Sequence, residues 1–170
     1  MTYKASFSDN NYLLNSSLEV SLRTLVLLNC SNNDTFDIDR LVIFDYFILH
    51  GKDIDDTQIS IHPPLPHRSS EIIIRRKLIK EGLEILFSRG LVNQTHNKDG
   101  IYYSANKNTE LFINLLQSEY YRKLTEVINW SLFKYSNVET SILNNIVNEN
   151  IDIWGGEFEY EALVRSNYDR

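Results

Sequence analysis

Leu18 to Asn29 reads LEVSLRTLVLLN, a run in which Glu19 and Arg23 are the only charges and almost everything else is Leu or Val. Glu19 and Arg23 stand four residues apart, so on a helix they pair along one narrow polar strip. With every other direction apolar, such a helix is buried on most sides. Ser17 is its candidate N-cap.

The segments that follow are short and well punctuated. SNNDT is a loop, Asp37 caps a second helix from Ile38 to His50, and Gly51 ends it. An acidic, turn-rich stretch from Gly51 to Thr57 leads into SIHPPLPHRSS, a joint stiffened by Pro63, Pro64 and Pro66. A third helix spans about Ser70 to Arg89, with Gly90 as its C′ residue. Strands LVNQT and IYYSA then bracket HNKDG, where Asp99-Gly100 is a strong hairpin signal. Helix, helix, helix, hairpin is the winged-helix order. Further helices are expected at Thr109 to Gln117, at Glu119 to Tyr135 behind Ser118, and at Val138 to Asn150 behind a Ser136/Glu139 capping box. The expectation is a mostly α chain: an N-terminal arm (1–16), a winged-helix-like trihelical core with a β-hairpin wing (17–106), additional C-terminal helices (107–150) and a tail (151–170).

Composition bounds the class. The chain has 170 residues, 42% hydrophobic and 24% charged, enough for one core. Unbroken apolar runs such as Leu25 to Leu28 stop at four residues, far short of the ~20 needed to span a bilayer. The start, MTYKASFSDNNY, has no apolar core for a secretory signal, and the single Cys30 forms no internal disulfide, so a cytoplasmic protein without a membrane segment is expected. Seventeen basic against 23 acidic side chains give a net charge of −6, which opposes non-specific nucleic-acid binding. The charge is uneven: six Lys or Arg and three acids lie between Arg68 and Arg89, whereas Glu149 to Glu161 holds five acids and no base.

Chemistry has little to stand on. His62 and His67 supply two metal ligands at most, Cys30 sits on the first helix, and no Cys-x-x-Cys or His-Glu-x-x-His occurs. No nucleophile elbow or phosphate-cradling loop is present among six glycines. Both histidines read as hydrogen-bonded structural residues, and no catalytic, cofactor or metal residue is assigned. The third helix is a poor DNA reader. Ile72, Ile79, Leu83 and Leu86 share one face on a 100° wheel, Arg75 and Arg76 flank it, and the solvent side mixes Lys77 and Lys80 with Glu81 and Glu84. Asp45 is the complementary oddity, a carboxylate among Ile38, Leu41, Val42 and Leu49. A buried ion pair between Asp45 and Arg68, Arg75 or Arg76 satisfies both. The alternative is a set of solvated charges on a face read one residue out of phase.

FDIDRLVIFDYFILHGKDI, SIHPPLPHRSSEIIIRRKLIKEGLEILFSRGLV, GIYYSA, LLQSEYYRKL and WGGEF together give the chain a family look. It resembles the middle component of bacterial three-component ABC-ATPase antiphage defence systems, the group that includes Lamassu. HPPLPHR, RR-x-LI-x-x-GL and SRGLV are the specific part, and the resemblance spans about Leu18 to Phe158. One departure is Glu119, where the family pattern has proline after the serine of LQS. The resemblance implies a non-enzymatic adaptor that joins an SMC-like ABC ATPase to an effector protein, often a nuclease, and touches DNA only indirectly through that complex, with Lys77 and Lys80 as the contact candidates. Rival readings are a winged-helix DNA-binding regulator and a hydrolase using His62 or His67. Trp154, Phe158 and Tyr160 lie beyond the last helix and are the candidate partner-binding residues, because a short tail has little core in which to bury three aromatics.

Overall fold

The computed structural model describes residues 16–32, 34–62 and 68–149, the backbone alone over 68–73. The first helix, α1, is Ser17–Cys30. It starts one residue earlier than expected because Ser16, not Ser17, accepts the Glu19 amide at 3.2 Å. Asp37 caps α2, Ile38–Leu49, through the Arg40 amide at 2.7 Å. Gly51 does not end that helix; His50 does, and Gly51 opens a single further turn, α3, Gly51–Ile54. A Cβ at Gly51 would approach the Ile59 carbonyl to 3.0 Å, so a larger residue is disfavoured by space. The longest helix, α4, is Arg68–Ser88. Its end is a Schellman turn: Gly90 has φ +65°, and the Leu91 amide reaches back to the Leu86 carbonyl at 2.9 Å.

Strands β1, Val92–Asn97, and β2, Gly100–Ala105, pair antiparallel from Val92↔Ala105 to Asn97↔Gly100. The ladder extends past the expected strands because Asn97 Oδ1 accepts the Asp99 and Gly100 amides, 2.8 and 3.0 Å, and closes a two-residue turn. Phe36, between α1 and α2, exchanges two backbone hydrogen bonds with Tyr103 (2.9 and 2.8 Å) and so extends the hairpin by one bridge.

The C-terminal helices follow with shifted bounds. Asn106 and Thr109 form a capping box that starts α5 at Lys107, and it ends at Ile113, short of Gln117. Helix α6, Glu119–Tyr135, has the expected Ser118 cap on the Tyr121 amide at 3.1 Å. The last helix, α7, covers 140–149 among the described residues. Ser136 does not form a capping box; it ends α6 by donating its amide to Leu132. The delay has a visible cause in Arg40. Its guanidinium donates to the carbonyls of Tyr135 (3.2 Å), Ser136 and Val138 (2.8 Å) and to Thr140 Oγ1 (3.2 Å), while packing over the rings of Phe36 and Phe44. These contacts hold the turn between the two helices, and α7 begins only at 140.

The chain is thus mostly helical with one small antiparallel hairpin and additional C-terminal helices. One buried cluster joins α1 (Leu25, Leu28), α2 (Phe44, Phe47), α4 (Ile79, Leu83), α6 (Leu124, Ile128) and α7 (Leu143, Val147). The crossing of α1 over α4 depends on Gly82. A Cβ built there lies 3.1 Å from Ser21 Cα and Cβ and 3.2 Å from its backbone nitrogen, so any side chain forces the helices apart. Gly82→Ala is expected to cost about 1–3 kcal/mol in spite of alanine's better helix propensity. Denaturant unfolding checks this, and an unchanged or raised midpoint contradicts it.

Candidate functional site

Helix α2 is buried at every position from Leu41 to Leu49, so its one carboxylate within that run goes inward with its neighbours. Asp45 is 3% exposed and stands between two arginines. Arg75 of α4 donates Nη1 to Oδ2 at 2.5 Å; Arg23 of α1 donates Nε to Oδ1 at 2.9 Å. The network extends outward from both. Arg23 Nη1 bonds Glu19 Oε1 at 2.8 Å, His62 Nε2 lies 3.4 Å from the same oxygen, and Arg75 Nη2 lies 3.4 Å from His50 Nε2. Three helices and the start of the proline joint are therefore tied to one buried point.

Burial by itself would push the Asp45 carboxyl up. The charges of Arg23 and Arg75 and the hydrogen bonds they donate outweigh it and hold the group down at about 2. Burial likewise works against the Arg23 cation, and Asp45 outweighs it and raises the guanidinium above its ordinary value. The Asp45 carboxylate and the Arg23 guanidinium are therefore charged at neutral pH. Glu19 Oε2 is buried with no hydrogen-bond partner among the described residues.

The structure brings Asp45 and Arg75 together and leaves Arg76 out. Arg76 is half-exposed on the opposite flank, paired with the equally exposed Asp39. Arg75 and Arg76 are 100° apart, so only one can turn inward. The Arg68 side chain, His67, Trp154, Phe158 and Tyr160 lie outside the described residues. Arg23 was missed as a partner of Asp45: the narrow polar strip it shares with Glu19 points inward, and Arg23 is 1% exposed. The available signal was the helix itself, because one buried on most sides has to bury its central arginine as well. Cys30 is half-buried, and burial pushes its thiol up. Among the described residues no three His, Cys, Asp or Glu converge as a metal site would require, and no helix is long and apolar enough to cross a membrane.

An open groove of about 630 Å³ runs between the start of α2, the outer face of α4 and the hairpin tip. Arg76, Lys77 and Lys80 line it on one side, Asp37, Asp39 and Asp99 on the other, so its formal charge is balanced. Lys77 lies 3.9 Å from Glu81, a turn further along α4. Within hydrogen-bond reach of one another this wall offers ion pairs and no nucleophile–base pair.

Neither the curated proteins nor the solved structures contain a match to this chain. A family model, ABC-three component (ABC-3C) system Middle Component 2, matches residues 13–157. That span takes in every helix and strand described above, and the chain belongs to the ABC-3C system Middle Component 2 family.

Proposed function

We propose that this middle component is a non-enzymatic adaptor that links an SMC-like ABC ATPase to an effector, often a nuclease, in a cytoplasmic Lamassu-type antiviral defence complex. Family membership supports a role beside an ABC ATPase component. The observation that carries the rest is how α4 spends its cations. Arg75 is buried on Asp45, Arg76 is paired with Asp39 and Lys77 with Glu81, and Glu84 is exposed beside them. A helix that reads DNA needs several free cations along its outer face. Among its described side chains this one keeps Lys80, in a groove where acids balance bases, with Arg89 just past its end. Such a face suits a partner protein of mixed charge better than a phosphate backbone.

The winged-helix reading draws support from the Phe36 to Tyr103 bridge, which places a strand residue from between the first two helices against the second hairpin strand. In this reading the helix and the wing serve protein contact, and DNA is met only within the assembled complex, with Lys77 and Lys80 nearest to it. The alternative is a winged-helix DNA-binding regulator. Titration of the isolated protein with duplex DNA at several salt concentrations separates the two. The adaptor shows weak binding at physiological salt with a shallow salt slope. Submicromolar binding that weakens on Lys77→Glu or Lys80→Glu establishes the regulator instead.

A further inference from the structure

The hairpin has one edge partly covered and the other bare. Phe36 and Tyr103 exchange both of their backbone hydrogen bonds, so Tyr103 turns its amide and carbonyl away from β1. Bonding direction alternates along an antiparallel strand. In the register Gln94↔Tyr103, Thr95↔Tyr102, His96↔Ile101, the residues of β1 that bond β2 are therefore Asn93, Thr95 and Asn97. Gln94 and His96 turn their amides and carbonyls to the outer edge, where no described backbone group meets them.

Open strand edges are normally guarded by a lysine, a proline or a bulge. Val92–Asn97 reads VNQTHN, contains neither residue, and pairs with β2 without a break in register. The edge is instead complementary to itself. Asn93, Gln94, Thr95 and Asn97 each carry a group that both donates and accepts, and between Asn93 and Asn97 there is no acid, lysine or arginine. A two-fold axis at Thr95 lays β1 antiparallel to a second β1, joins Gln94 of each copy to His96 of the other by paired backbone hydrogen bonds, and sets Thr95 beside Thr95. Within one strand the Gln94 Nε2 already lies 2.7 Å from the His96 Nε2, so the same amide and imidazole partners stand next to each other across the axis. Charge also selects a copy. Two chains of net charge −6 repel over most of their surface and can meet at least cost along an uncharged edge, whereas a strand chosen by its charge finds nothing on β1 to pair with.

We infer that β1 pairs edge to edge with β1 of a second copy of this chain, so that two hairpins become one four-stranded antiparallel sheet across a two-fold axis. This assigns a self-association surface and does not depend on the adaptor reading. A strand of this length spans about 20 Å, and one such contact buries less than the ~1,200 Å² of a stable interface, so the dimer is a weak one, with a Kd on the order of 10–100 μM. The test is sedimentation of the full chain from about 1 μM to about 1 mM. Wild type is expected to pass from monomer to dimer, with the amides of Gln94 and His96 gaining exchange protection as the concentration rises. Gln94→Pro removes an outward amide and leaves the β1 to β2 ladder its donors, and Thr95→Lys sets two like charges beside the axis. Each is expected to weaken dimerisation by about tenfold or more, while Thr95→Val, which keeps the branched shape without charge, retains it. Where Gln94→Pro also lowers the melting temperature, Thr95→Lys decides alone, because Thr95 is exposed and outside the core. A monomer at every concentration, or a dimer that Thr95→Lys leaves intact, overturns the inference. So does a monomeric wild type whose capture by the ABC ATPase component is lost in Thr95→Lys, since the edge then holds a strand of that component.

Discussion

Asp45→Ala is expected to destabilise the protein by about 3–5 kcal/mol, because it strands Arg23 and Arg75, 1% and 3% exposed, without the carboxylate that neutralises them. Asp45→Asn is expected to lose nearly as much, since an amide keeps the volume and removes the charge. Replacing Arg23, Asp45 and Arg75 together with apolar residues of similar volume should cost less than the single change, because these three charges leave as a set and Glu19 keeps His62 at 3.4 Å. Proton linkage gives a second readout of the same network. The folded-state value of Asp45, about 2, lies below its ordinary value of 3.8, so ionisation contributes stability above about pH 4 and loses it as the pH falls towards 2. That contribution is about 2 kcal/mol. The gap in melting temperature between wild type and Asp45→Asn should therefore narrow across this window. A gap that stays constant from pH 5 to pH 2, or a single variant as stable as wild type, contradicts the network.

Arg40→Ala should cost about 2–3 kcal/mol and act on the junction between α6 and α7. Arg40 donates to three carbonyls and one hydroxyl between Tyr135 and Thr140, at the end of α6 where backbone acceptors lack helical partners. Lysine should restore less than half of the loss, since one ammonium cannot span these acceptors or lie flat over Phe36 and Phe44. Native-state hydrogen exchange is the suitable measurement. Amides of α7 are expected to lose protection before those of α1 and α2, whereas uniform loss along the chain would place Arg40 in the core and not at a clamp.

How far the sequence could be read depended on whether a feature was local. Ser118 and Asp37 cap their helices through amides three residues on, so α6 and the start of α2 were legible from spacing alone. The hairpin was equally plain from Asp99-Gly100 between two apolar runs, although the turn itself is Lys98-Asp99, closed by Asn97, with Gly100 already in the second strand. Arg40, by contrast, acts nearly a hundred residues away on carbonyls that carry no sequence identity, and the start of α7 was misplaced in consequence. Asp45 announced itself as a carboxylate in an apolar run. Its partners were harder, because the inward arginine of the pair Arg75 and Arg76 is chosen by helical phase, and Arg23 had a plausible local partner in Glu19 that concealed its distant one.

As the proposed adaptor, this chain joins two other proteins and performs no chemistry itself. Reconstitution from purified components tests that most directly. With the ABC ATPase component immobilised, the effector should be retained when this chain is present and lost when it is omitted, and added duplex DNA should not substitute for it. Equal retention of the effector without this chain would contradict the adaptor role.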